Sequence, residues 1–156
     1  MASYQTKIGH AHLKVRDIDR AVAFYTRFFQ LEVRERIGQF AFLSGGDFHH
    51  EIALQGLGNT APAPHPYGVG LYHIAFEVPD KVAFAQAYRA LLDANVPVGA
   101  VDHVGISWAI YFNDPDGNGL EIYVDTRAEQ QTQGLWQGMN RALPDETIFA
   151  LLEKTP

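Results

Sequence analysis

An eight-residue pattern that recurs after 63 positions constrains this chain more than any other feature of its sequence. His10-Ala11-His12-Leu13-Lys14-Val15-Arg16-Asp17 aligns with His73-Ile74-Ala75-Phe76-Glu77-Val78-Pro79-Asp80, and His, Val and Asp coincide at matching places. A constant offset of that kind points to an internal duplication. After its Asp, each copy passes into helical period, through Ala21, Val22, Phe24, Tyr25, Phe28 and Phe29 in the first and Val82, Phe84, Ala87, Tyr88, Leu91 and Leu92 in the second. Asp17 and Asp80 then stand at the helix N-caps, where a carboxylate accepts hydrogen bonds from first-turn N–H groups. Short strands are predicted next, over residues 32–36, 39–44 and 49–55 in the first copy and 101–104, 107–113 and 119–125 in the second. Asp114-Pro115-Asp116-Gly117-Asn118-Gly119 joins the last two as a hairpin. Each half thus reads βαβββ and the expected class is α+β, with module one at about 8–55 and module two at about 71–125. Residues 56–70, rich in Gly and Pro, suit a connector without regular structure. The tail, 126–156, carries a predicted helix over 145–154, read as a packing or dimer element rather than a catalytic one.

A chain of 156 residues is expected to form a single domain and to bury roughly two-thirds of the surface its unfolded form exposes. Its 47% hydrophobic and 19% charged residues match a globular protein. A net charge of -6 and a pI of about 5.5, without Lys/Arg clusters, argue against nucleic acid or an anionic membrane as partner. The expected partner is a small molecule. There are no cysteines, so disulfides, thiolate metal sites and cysteine nucleophiles are excluded, and a transition metal must sit on His, Asp or Glu. Residues 1–8 lack the apolar core of a signal peptide, and no apolar run approaches the ~20 residues that span a bilayer, so a cytoplasmic location is expected.

Side chains alternate along a strand, so His10 and His12 share one face while Ala11, Leu13 and Val15 share the other. If the apolar face packs on the helix, the histidines face the concave side of the sheet, as would His73 in the duplicate strand. Glu121 lies between Leu120 and Ile122 and points opposite to them. Two imidazoles and a carboxylate on separate strands can therefore converge. A two-His-one-carboxylate set occupies one face of an octahedral ion and leaves positions open, an arrangement suited to Fe(II) and also to Mn(II). A single strand histidine is more often a core or surface residue. Its repetition at the same point of both halves favours the ligand reading.

Ile8-Gly9-His10 through Val15-Arg16-Asp17, Ala23-Phe24-Tyr25, His49-His50-Glu51-Ile52-Ala53-Leu54, Leu71-Tyr72-His73-Ile74-Ala75-Phe76, and the stretch from Tyr111-Phe112-Asn113-Asp114 to Leu120-Glu121 carry a family resemblance. The chain resembles the vicinal oxygen chelate superfamily, and within it the single-domain, catechol 2,3-dioxygenase-like extradiol enzymes. The similarity runs from about Ile8 to Asp125. It implies two βαβββ modules pairing into an incomplete barrel around a metal site. It also selects His10 over His12 as the ligand that joins His73 and Glu121. His50, second of the His-His-x-x-Ala-Leu element, takes the acid–base role by this resemblance, and Tyr111 and His103 contact the catecholate or bound oxygen. The activity implied is cleavage of a catechol ring by O2 at Fe(II), with Mn(II) as the alternative ion, in a homodimer or higher homo-oligomer.

Two other readings stay open from the residues. Glu51 aligns with Glu121 between the halves, and a fourth carboxylate ligand would suit a glyoxalase-type isomerase or lyase. Because His50 and Glu51 are adjacent, regular alternation lets only one of them face the ion. The remaining reading is a non-catalytic binding module of the bleomycin-resistance kind, which the full donor set disfavours. Phe48, Trp108, Phe112 and Tyr123 are candidate walls for an aromatic substrate and are left unassigned, since aromatic residues at strand spacing are mostly core. His49 is expected to face away from the metal, and His65 to be exposed.

Overall fold

The computed structural model describes residues 4–129, 135–136 and 138–153. The chain separates into two compact units, one ending at His65 and the other starting at Pro66. The first carries β1 (Ala11–Val15), α1 (Ile18–Phe29), β2 (Glu32–Ile37), β3 (Phe40–Ser44) and β4 (Ile52–Gly56). In β1, Leu13 and Val15 are buried while His12 and Lys14 are exposed, as alternation requires. The turn into α1 is set by Asp17, whose carboxylate accepts from the N–H groups of Asp19 and Arg20 at 2.9 and 3.0 Å. The helix then buries Ile18, Ala21, Phe24 and Tyr25. Sheet order is β1-β4-β3-β2, with β1 parallel to β4 and the other pairs antiparallel.

The second unit repeats this plan with β5 (Ile74–Glu77), α2 (Lys81–Asp93), β6 (Gly99–His103), β7 (Ser107–Asn113) and β8 (Gly119–Asp125). The order β5-β8-β7-β6 and the parallel β5–β8 pair reproduce the first sheet strand for strand. Asp80 caps α2 by accepting from Ala83 N–H at 2.8 Å. The predicted strands at 107–113 and 119–125 coincide with β7 and β8. Their hairpin is held by Asp114, whose Oδ1 accepts from the N–H groups of Asp116 and Asn118 at 2.8 and 2.9 Å. Gly117 provides the positive φ, +90°, that such a turn needs. Both units are open sheets with few helices, an α+β architecture; no helix among the described residues is long and apolar enough to cross a membrane.

Three expectations are corrected. The strand predicted over 49–55 starts at Ile52, because the chain bends through Gly45, Gly46 and the two histidines before joining the ladder. His10 and His73 each lie one residue ahead of their strands rather than within them. The strand predicted at 101–104 runs over Gly99–His103, paired along its length with β7.

The tail also contributes a strand that no local pattern announces: β9 (Asn140–Ala142) pairs antiparallel with β6 and makes the second sheet five-stranded. Three exposed residues have no alternation to read, and β9 exists because β6 offers it an unpaired edge. The tail helix is α3 (Asp145–Glu153), and Lys154, the expected last residue, lies outside the described residues. α3 buries Ile148 and receives a 2.7 Å hydrogen bond at Asp145 from the Tyr88 hydroxyl of α2.

That bond gives a testable stability effect. Burial, then the hydrogen bond to Asp145, pushes the Tyr88 phenol up to about 12. The folded state holds this proton more tightly than the unfolded chain, so the contribution is complete below pH ~10 and declines as pH rises toward 12. Tyr88→Phe is expected to cost about 1 kcal/mol at pH 8. The gap from wild type should narrow between pH 10 and 12 in urea titrations. A gap independent of pH would remove the Tyr88–Asp145 bond as its source.

Candidate functional site

In the second unit the hairpin register alone places Tyr111 on β7 directly opposite Glu121 on β8. Ala75 on β5 flanks Glu121 from the other side, and His73 lies just ahead of β5. Side chains then link into one run. His73 Nε2 stands 2.8 Å from Glu121 Oε2, Tyr111 OH stands 3.2 Å from Glu121 Oε1, and His103 Nε2 stands 2.8 Å from Tyr111 OH. His103 pairs with Ser107 and not with Tyr111, so the contact is diagonal and depends on the length of both side chains. On its other side, His103 Nδ1 meets Asn140 Oδ1 of β9 at 2.6 Å.

Glu121 is only 8% exposed. A buried carboxylate is costly unless its charge is used, and here an imidazole and a phenol converge on its two oxygens. Burial first, then the Glu121 charge, pushes the Tyr111 phenol up to about 12, so at neutral pH it is a neutral hydrogen-bond donor. The Nδ1 of His73 is buried without a hydrogen-bond partner. A carboxylate with an imidazole nitrogen 2.8 Å beside it is a pair of donors of the types that hold a divalent cation. Beside this pair lies an open groove of about 390 Å³ lined by residues including Tyr72, His73, Tyr111, Phe112, Gly119 and Leu120.

Close approach of backbones keeps His73 near Glu121. A Cβ on Gly119 would lie 2.1 Å from the Tyr72 carbonyl oxygen, so only glycine lets the segment 72–73 pass over the start of β8. Gly119→Ala is expected to cost about 1–3 kcal/mol through overpacking and, on the expected ligand set, to weaken metal binding at the displaced His73. Urea unfolding and metal titration would check both, and an unchanged midpoint would show that the backbone yields freely.

The first unit gathers a different group. His10 is exposed just ahead of β1, and its ring centroid lies 4.5 Å from that of His50. The backbone bond from Ala11 N–H to Glu51 carbonyl, 2.9 Å, brings these two chain segments together. His49 Nδ1 stands 2.9 Å from His50 Nδ1, while its Nε2 stands 3.2 Å from Glu35 Oε2. Burial, followed by the nearby imidazoles of His10, His49 and His12, lowers the pKa of His50 from its usual value, so the ring favours the neutral form. His12 instead packs against Phe40, with ring centroids 6.1 Å apart. The Glu51 carboxylate accepts from Gly45 N–H at 2.8 Å and from Ser44 Oγ at 3.3 Å, which commits it to its own loop.

Each unit therefore assembles part of the expected set: His73, Glu121, Tyr111 and His103 in the second, His10 and His50 in the first. Among the described residues, no three His, Asp or Glu side chains are gathered closely enough to form a metal-holding group. Of the aromatic candidates, Phe112 is buried and borders the groove, whereas Phe48 is 56% exposed beneath the Lys7 ammonium. Trp108 packs between Phe84 and Lys81, and Tyr123 OH donates to Glu77 at 3.1 Å. His65 is exposed, as expected. Asn140 and Trp136 were not foreseen, and no spacing in the sequence marks them, since their link to His103 arises only from the pairing of β9 with β6.

A family model described as "Glyoxalase/Bleomycin resistance protein/Dioxygenase superfamily" matches residues 7–122. The chain belongs to this superfamily. Among relatives in it, a catechol-2,3-dioxygenase from Bacillus subtilis (strain 168) is 32% identical over 77% of this chain and 42% of its own length. A biphenyl-2,3-diol 1,2-dioxygenase 3 from Rhodococcus globerulus is 30% identical over 78% of this chain and 65% of its own. The chain thus spans less than two-thirds of either relative. A solved structure of lactoylglutathione lyase from Agrobacterium tumefaciens superposes with a TM-score of 0.60 at 26% identity, over 85% of this chain and 98% of that one. The superfamily fold accounts for both duplicated sheets; the tail from Arg127 on lies outside the matched residues.

Proposed function

We propose that this chain is an extradiol dioxygenase that opens the aromatic ring of a catechol with O2, at a mononuclear Fe(II) held by His10, His73 and Glu121. Mn(II) fits the same donors. The observation that carries this reading is the run His73–Glu121–Tyr111–His103, a buried carboxylate joined to an imidazole on one oxygen and, through a neutral phenol, to a second imidazole. The Bacillus and Rhodococcus dioxygenases support it by their likeness. Bound there, the ion would supply open coordination positions that bring a catecholate and O2 together.

The chain's own residues then divide the proton work. His50, neutral when free, takes a proton from a catechol hydroxyl and returns it as the ring opens. Tyr111 donates a hydrogen bond to a substrate oxygen, and His103, once it has taken up the second catechol proton, stabilises negative charge that develops on the oxygen side. Both atoms of O2 enter one ring-opened product, so no external reductant is required. The groove beside Tyr111 and Phe112 offers room for the ring.

The likeness to the Agrobacterium lyase favours a second reading, a metal-dependent isomerase of the glyoxalase type, in which Glu51 would act as a fourth ligand. The commitment of Glu51 to Ser44 and Gly45 speaks against it. Anaerobic reconstitution with Fe(II), followed by catechol and 3-substituted catechols in air, is expected to yield a yellow ring-cleavage product. Turnover of a hemithioacetal with Ni(II) or Zn(II), and no product from any catechol, would replace the dioxygenase by the isomerase.

A further inference from the structure

Trp136 and Asn140 sit beyond the residues that match the superfamily, yet both reach the His103 end of the site. His103 and Asn140 are direct partners in the β6–β9 register, so their side chains share one face of the sheet. The Trp136 ring lies edge-on to the His103 ring, with centroids 5.9 Å apart and planes at 84°.

The indole N–H of Trp136 favours one orientation of the Asn140 amide. The indole N–H of Trp136 only donates, and it stands 3.2 Å from Asn140 Oδ1 and 3.1 Å from the Met139 carbonyl. A reversed amide would set its NH2 against this donor. The Asn140 oxygen is thereby the acceptor, and His103 Nδ1, 2.6 Å from the same oxygen, must carry a proton. In the neutral ring this leaves a lone pair on Nε2, aimed at the Tyr111 hydroxyl 2.8 Å away. Tyr111 has a single proton to give, and Nε2 is closer to it than Glu121 Oε1 is, at 3.2 Å.

We infer that Asn140, oriented by Trp136, is a positioning residue that holds neutral His103 as its Nδ1–H tautomer, with Nε2 turned to accept from Tyr111. The tail strand would then complete the site chemically as well as packing beside it. The consequence for turnover rests on the dioxygenase reading; the tautomer itself does not. A ring held in one tautomer by a neighbouring acceptor is the general way in which an outer residue tunes a functional imidazole.

The test is ring 15N NMR of the metal-free chain labelled at histidine, recorded at pH 8, with the His103 signals assigned from a His103→Gln sample. The wild type is expected to show His103 with Nδ1 protonated and Nε2 bare. Asn140→Ala should convert it wholly or partly to the Nε2–H form. Asn140→Asp, which keeps an acceptor at the same place, should restore Nδ1–H. In the iron-loaded enzyme, Asn140→Ala should lower kcat about 10- to 100-fold with little change in KM, and Asn140→Asp should recover most of the loss. Wild-type His103 with its proton on Nε2, or a tautomer that Asn140→Ala leaves alone, would overturn the assignment. The wild-type spectrum decides it even if Asn140→Ala does not fold. A changed tautomer with undiminished kcat would overturn the positioning role. Absence of catechol cleavage in wild type, with the tautomer as stated, would instead sink the dioxygenase reading alone.

Discussion

Glu121→Gln is expected to weaken Fe(II) binding by more than about 100-fold while leaving the metal-free protein as stable as wild type or more so. The two effects have opposite causes. Loss of charge removes an anionic ligand, and even residues that only orient ligands are worth about 10- to 100-fold in metal affinity. In the metal-free chain that same charge is 8% exposed, and a glutamine of equal shape relieves the cost of burying it. Its amide can still meet Tyr111, whose hydroxyl stands 3.2 Å from Oε1. Thermal unfolding without metal, together with an anaerobic Fe(II) titration, measures both halves. Unchanged affinity would remove Glu121 from the ligand set.

His50→Phe is expected to slow ring cleavage by about 10²- to 10⁴-fold, the range of general acid–base catalysis, with iron affinity unchanged. A phenyl ring suits these surroundings, because His50 packs among the rings of Phe42 and His10, with centroids 5.0 and 4.5 Å away. A loss of turnover therefore reports proton transfer and not collapse of the site. Burst and steady-state kinetics with a fixed catechol would check this. Full activity in the variant would transfer the acid–base role elsewhere, and a parallel loss of iron would make His50 a ligand.

Much of this layout was legible because it is local. Asp17 and Asp80 mark the helix starts since a carboxylate there satisfies the nearest N–H groups, and that spacing is visible in any sequence. Tyr111 opposite Glu121 follows by counting back from a turn whose residues, Asp114 to Asn118, hold themselves in shape. Duplication made the βαβββ order of each half legible from the other, and in the structure the β1–β4 pairing repeats as β5–β8. Less legible was the start of β4: a period-two reading treats His50 and Glu51 as strand residues, whereas a loop places His50 beside His10 and ties Glu51 to Ser44 and Gly45.

By itself, then, the sequence determined the duplicated βαβββ plan and the buried faces of its elements, and it offered His and Glu residues as candidate ligands. Those properties depend on period, capping and turn chemistry within a few residues. Tertiary structure alone decided that His73 reaches Glu121 across the bare backbone of Gly119, that His103 meets Tyr111 diagonally, and that Asn140 arrives from the tail to hold His103. These contacts join residues up to 48 positions apart, as His73 and Glu121 are, and they depend on strand pairing and side-chain reach, neither of which leaves a spacing in the chain.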